Sequence, residues 1–266
     1  MKHPILYFVI LLMALAACQK IQLQTADSDV AVVEAYITPG NQLSLKIFRQ
    51  LMFENGDTTI TYINDLEVQV SNGNQWFTLS NQDSGIYVNP AIQIESGMLC
   101  SLAFEYKGET ISAETNIPTK PENFSSSAVS IEAFGFTGNG PPTMSEPIAL
   151  SWLNPDEDYF LIVVENIEDS PTLIEDINDD EDRPQPVFRN TPTQNDNQDL
   201  NARMFSYYGT HQIILFKLNP EYAALYEQLS SSSLDITAPP TNIVNGLGIF
   251  TGINSDTLYV EVVSKK

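Results

Sequence analysis

The run Leu66-Glu67-Val68-Gln69-Val70 alternates apolar and polar residues strictly, Ser71-Asn72-Gly73-Asn74 follows it, and Trp76-Phe77-Thr78-Leu79 then resumes. A period of two sends successive side chains to opposite faces, so the run suits a half-buried strand and not a helix. Asn-Gly reverses a chain cheaply because both residues accept positive φ. The pattern repeats along the first part of the chain. Residues 30–37 are apolar and β-branched, Pro39-Gly40-Asn41 turns, and residues 42–48 carry Leu43, Leu45 and Ile47 in alternation, which predicts a hairpin. Gly85-Ile86-Tyr87-Val88 follows another polar turn, and a strand through Cys100 meets residues 109–115 across Lys107-Gly108. Roughly seven strands in about 90 residues predict an all-β sandwich of immunoglobulin-like or prealbumin-like type.

Ile117-Pro118-Thr119-Lys120-Pro121 breaks any ladder, because proline has no amide hydrogen to donate. The domain boundary is placed there, with residues 30–118 as the N-terminal β-sandwich and 119–266 as the C-terminal one. In the second part, Ile148-Ala149-Leu150-Ser151-Trp152, a turn at Asn154-Pro155-Asp156, and the apolar residues 159–164 suggest a fibronectin type III B-C hairpin with Trp152 in its core. Residues 211–218 read as a strand. Pro220 suits the first turn of a short helix whose Tyr222, Leu225, Tyr226 and Leu229 share one face.

Between these elements lies a stretch of different character. From position 165 to 182 there are nine acidic residues and no basic one, followed by Arg183-Pro184-Gln185-Pro186 and a polar tract to 199. Such a segment has too little apolar surface to offset its ordering entropy, so 165–200 is expected to be a long exposed acidic insertion. Asp176, Asp179, Asp180 and Asp182 are candidate Ca²⁺ ligands by chemistry, but they lack the register and glycine of an EF-hand loop.

The N-terminus predicts export. Lys2 and His3 precede an apolar run from Ile5 to Leu15, and Leu15-Ala16-Ala17-Cys18 follows it as a small-residue cleavage site ending in cysteine. Eleven apolar residues are too few to span a bilayer, which takes about 20. The four-residue pattern matches a bacterial lipobox. Residues 1–17 are therefore read as a lipoprotein signal peptide, Cys18 as the lipidated first residue, and 18–29 as a tether. Three acyl chains would hold such a protein stably, where one is marginal. Losing Lys2 leaves 11 of the 12 basic residues against 34 acidic ones, a net charge of about −23. Nucleic acid is not expected as a partner on that balance, since phosphate contacts need Lys and Arg.

Little of the chain suggests catalysis. After processing, His211 is the only histidine and Cys100 the only cysteine not carrying lipid, so an intrachain disulfide is excluded and a zinc site lacks ligands. Cys100 alternates in phase with Met98, Leu102 and Phe104, as a core thiol would. The sequence contains no G-x-S-x-G elbow to pair with His211. Near the end, Asn242-Ile243-Val244-Asn245-Gly246-Leu247-Gly248-Ile249-Phe250-Thr251-Gly252 imitates a phosphate-binding loop. A dinucleotide fingerprint needs a helix at its third glycine and an acidic residue about 20 positions on. Only 14 residues follow Gly252, so a nucleotide cofactor is not expected. The glycines are read instead as points of close approach or positive φ, Ile249 and Phe250 as core, and 252–256 as a turn into the last strand.

The lipobox, the VVEAYITPGNQLSLKI hairpin, INDLEVQVSNG before DSGIY, ISAETNIPTKP and above all APPTNIVNGLGIFTG resemble the Bacteroidetes lipoproteins grouped as domain-of-unknown-function family 4249. The resemblance runs from about residue 31 to 262. It implies an outer-membrane lipoprotein, often encoded beside a TonB-dependent transporter, and supplies no catalytic or cofactor-binding residues. Acidic residues often follow the lipidated cysteine in surface-exported members of this phylum, whereas Cys18 precedes Gln19-Lys20-Ile21-Gln22, so the cell surface and the periplasmic face both stay open. Two functional classes follow: a non-catalytic binding or accessory module for a transporter, or a structural component of the envelope that binds only protein.

Overall fold

The computed structural model describes residues 29–50, 59–133, 145–175, 183–230 and 240–264. The expected hairpin forms from β1 (Ala31–Ile37) and β2 (Leu43–Arg49), paired antiparallel from Ala31 with Arg49 to Glu34 with Lys46. Its inward residues Val33, Ala35, Ile37, Leu43, Leu45 and Ile47 are buried, as their spacing requires. Next come β3 (Gln69–Ser71), β4 (Trp76–Thr78), β5 (Ser80–Asn81) and β6 (Ile86–Asn89), then β7 (Leu99–Tyr106) and β8 (Glu109–Asn116). β7 and β8 pair along their whole length, and Lys107 and Gly108 both have positive φ, 51° and 85°, the geometry of a two-residue hairpin turn. The order β5-β6-β2-β1 makes one sheet and β4-β3-β7-β8 the other. A single apolar cluster joins them. Tyr87 is fully buried there, its hydroxyl donating to the Ile63 carbonyl at 2.9 Å and accepting from the Leu66 amide at 3.2 Å. That engagement leaves β3 beginning at Gln69, later than the alternation suggested.

The second half contains β9 (Glu122–Ser126), β10 (Ser130–Ala133), β11 (Ile148–Leu153), β12 (Tyr159–Asn166), β13 (Val187–Arg189), β14 (Asn197–Leu200) and β15 (Gly209–Leu218), then α1 (Pro220–Ser230) and β16 (Leu247–Ser264). Its sheets are β14-β11-β9 and β13-β12-β15-β16, with β10 parallel to the end of β16. Around Phe124, Trp152, Phe160, Ile162 and Leu200 a second apolar cluster fills the space between them. The described residues thus form an all-β arrangement of two sandwiches, with one short helix.

Three expectations change. β11 and β12 do not form a hairpin: β11 pairs with β9 and β14, β12 with β13 and β15, and the Asn154 turn crosses from sheet to sheet. Asn154 itself holds that crossing, its side-chain amide donating to the carbonyls of Asp158 at 3.0 Å and Gln194 at 2.8 Å.

The acidic insertion 165–200 is not a continuous exposed loop. β13 and β14 lie inside it, and Leu200 is fully buried. Polar side chains supply the bonds that burial could not: Asn190 accepts from the Ile162 amide at 2.7 Å and donates to Gln198 at 2.8 Å.

The last strand departs furthest from expectation. No turn interrupts 252–256, and β16 runs 18 residues without a break. Leu247 to Gly252 pair parallel with β1 of the first sandwich, and Ile253 to Val262 pair antiparallel with β15 of the second. Residues 242–252 therefore belong to the first sandwich, although the boundary at 118 assigned them to the second.

Candidate functional site

The chemistry-bearing side chains named from the sequence divide by location. Cys18 and the proposed signal peptide lie outside the described residues, as do Asp176, Asp179, Asp180 and Asp182. Among the described residues, no three His, Cys, Asp or Glu side chains are grouped to hold a metal ion. Cys100 is fully buried on β7, and that burial pushes its thiol up to about 11. His211 is buried on β15. Its Nδ1 lies 3.0 Å from the Gly209 carbonyl and its Nε2 3.3 Å from the Asn166 side-chain amide, so Nδ1–H donates and Nε2 accepts in a neutral ring. Phe205 packs edge-on against it at 5.0 Å, and burial lowers its pKa below the usual histidine value. Both groups are built into cores.

The tether ends in a fixed position. Asp29 accepts from the Tyr106 hydroxyl at 2.6 Å, pairs with Lys107 at the β7–β8 turn, and has Arg49 at 3.6 Å. The hydrogen bond from Lys107, then that from Tyr106, holds the Asp29 carboxyl below its usual range. Asp29, assigned to the tether, is part of the first sandwich.

The glycine run builds a tightly constrained local geometry. Gly248 has φ +98°, and a Cβ there would lie 2.0 Å from the Val33 carbonyl oxygen. At Gly252 a Cβ would lie 2.5 Å from the Asn116 carbonyl oxygen. Phe250 enters the first core fully buried, and Asn242 clamps it by accepting from its amide at 3.0 Å and donating to its carbonyl at 2.7 Å. For Gly248 and Phe250 the sequence reading of close approach, positive φ and an inward ring holds.

Beside this run a polar network ties the sandwiches together. Glu221, in the first turn of α1, accepts from the hydroxyls of Thr115 at 2.9 Å and Thr251 at 3.0 Å. Asn219 donates to Thr115 at 2.9 Å and to the Asn116 carbonyl at 2.8 Å. Asn254 donates to Ser96 and to the Pro118 carbonyl, both at 2.9 Å, and Lys120 pairs with Asp256 at 2.8 Å. The helix face differs from the expected stripe. Among its described side chains Ala223 is buried, while Tyr222 stands half-exposed and meets Tyr36 edge-on at 5.8 Å and Tyr226 at 5.7 Å; Leu229 lies outside the described side chains. The pairings across this junction had no signal in the sequence, because the partners lie far apart along the chain.

The model of the family described as Domain of unknown function (DUF4249) matches residues 19–258. The chain belongs to this family. The match reaches into β16 and so takes in both sandwiches together with the strand they share. No curated protein matches the chain. Similar solved structures include the FN1-FN3 domains of chicken CNTN1, at 10% identity over 87% of this chain and 67% of that chain with a TM-score of 0.30. Another is a three-domain segment of titin, at 7% identity over 88% and 67% with a TM-score of 0.22. At those TM-scores the likeness adds nothing to the architecture described above.

Proposed function

We propose that this DUF4249 chain is a lipid-anchored protein of the outer membrane and a non-catalytic binding or accessory module that works with a TonB-dependent transporter. The observation that supports its non-catalytic part is the burial of His211 and Cys100, while the anchor and the transporter rest on the lipobox and the family resemblance. His211 is sealed as a neutral ring between Gly209 and Asn166, and Cys100 is held as a thiol in the first core. Loops held on a fixed scaffold are the usual equipment of recognition, and they supply the contacts of this reading. Anchoring through Cys18 is supported by the lipobox, and the clamp on Asp29 would make the tether continuous with the first sandwich.

Affinity capture of the detergent-solubilised lipoprotein tests the partner. A transporter recovered in a manner that depends on a soluble ligand supports the accessory module. A ligand-independent envelope complex without a transporter would instead favour a structural component binding only protein. For the anchor, Cys18→Ala is expected to move the protein out of the membrane fraction, and its retention there would end the lipoprotein reading. Protease shaving of intact cells decides between the cell surface and the periplasmic face.

A further inference from the structure

The first sandwich is closed by residues from the far end of the chain. Val244 bridges Ser112 on the free edge of β8, its amide donating at 2.8 Å and its carbonyl accepting at 3.3 Å, and Asn245 donates to the Thr110 carbonyl at 3.0 Å. A few residues later Leu247 to Gly252 form a parallel ladder on the open edge of β1. The segment thus touches both sheets of the first sandwich, and Ile243 and Phe250 enter its core from the gap between them. Without it, β1 and β8 would each present a row of unpaired backbone groups over an uncovered core, and such edges are prone to pair with other chains.

We propose that residues 242–252 act as a strap whose docking completes the first sandwich, so that the sheets built from β1 to β8 hold their fold only while this strap is seated on them. The groove between β1 and β8 is specific for this strap. Its glycine positions leave no room for a side chain at Gly248 or Gly252, and it takes one aromatic ring, that of Phe250. β16 carries the dependence into the second sandwich, because the strand that leaves the groove is the one β15 pairs with. The first part of the chain to be made is the last to be closed.

The test cuts the chain between the halves without removing either. A protease site is inserted between the exposed Thr119 and Lys120 of the detergent-solubilised mature protein, and the cleaved product is run on gel filtration with mass analysis of each peak. A strap that holds the first sandwich predicts one peak containing both fragments in equal amounts, with a urea midpoint that rises with protein concentration, as a dissociating complex requires. Two peaks, each with native circular dichroism, would overturn the proposal. Cleaved Gly248→Val is expected to lose the N-terminal fragment from the complex, and co-elution unchanged by that substitution would show that the strap does not carry the association. If Gly248→Val fails to fold before cleavage, Asn242→Ala removes the clamp on Phe250 without added volume. It is expected to weaken the cleaved complex at least ~10-fold, and an unchanged dissociation constant would overturn the role of the strap.

Discussion

Cys100 sits fully buried in the middle of β7, where desolvation disfavours the thiolate and raises its pKa to about 11. At pH 8 only about one thiol in a thousand would be ionised, and the thiolate is the nucleophile. A thiol reagent is therefore expected to label the native Cys18→Ala protein at least ~100-fold more slowly than the urea-unfolded chain. Equal rates would place Cys100 at a reactive surface. His211 gives a pH signature of opposite kind. Its folded-state pKa is depressed below the ordinary value of 6.5, so below that value the unfolded chain binds more protons than the folded one. Its contribution to stability is complete above pH 6.5 and is lost as the pH falls toward the depressed folded value. Urea unfolding from pH 7 downward should show this slope in the native protein and a smaller slope in His211→Gln. An unchanged slope would mean that His211 is not buried neutral.

Among the elements, glycines separate local conformation from tertiary packing. Gly108 completes the β7–β8 turn at φ +85° with nothing within 4 Å of the position a Cβ would take. Replacing it with alanine is expected to cost about 1 kcal/mol, the conformational penalty alone. Gly252 does not have the left-handed backbone, yet a Cβ there would meet the Asn116 carbonyl at 2.5 Å and the Ile117 Cα at 2.9 Å. Backbone atoms give way reluctantly, so Gly252→Ala should cost more than ~2 kcal/mol, within the usual range for overpacking. Denaturant titration of the two variants checks the order. A smaller loss at Gly252 than at Gly108 would mean that β16 does not pass this close to the end of β8.

Among the described residues two apolar cores are joined by a shared strand, β16. Trp152 lies buried in the second core and Cys100 in the first, so they report on the two sandwiches separately. Tryptophan emission, recorded in a Trp76→Phe background, and Cys100 accessibility are expected to give the same urea midpoint, because β16 and the Thr115–Glu221–Thr251 bonds couple the halves. Two distinct midpoints would describe independent domains. Charge acts at this scale as well: a chain of net charge −22 repels itself, and added salt is expected to raise the common midpoint.

Much of this was written locally. The alternation of Leu43, Leu45 and Ile47, the turns at Pro39-Gly40 and Lys107-Gly108, the burial of Cys100 and Trp152, and the use of Gly248 and Phe250 could be read from neighbouring residues, since a period of two and a positive φ are properties of a few residues at a time. Strands β13 and β14 could not, because what orders that polar tract is the side chains of Asn154 and Asn190 bonding to residues distant in sequence. The Asn154 turn was visible, but not that it leads to the opposite sheet, since a turn reports reversal and not the partner of the strand that follows. By itself the sequence determined an all-β chain and a glycine run shaped by close approach and positive φ. Only the tertiary structure decided that β16 serves both sandwiches. Its partners change from β1 to β15 at Gly252 while its backbone stays extended, and a hydrogen bond between strands from opposite ends of the chain leaves no periodic trace in either.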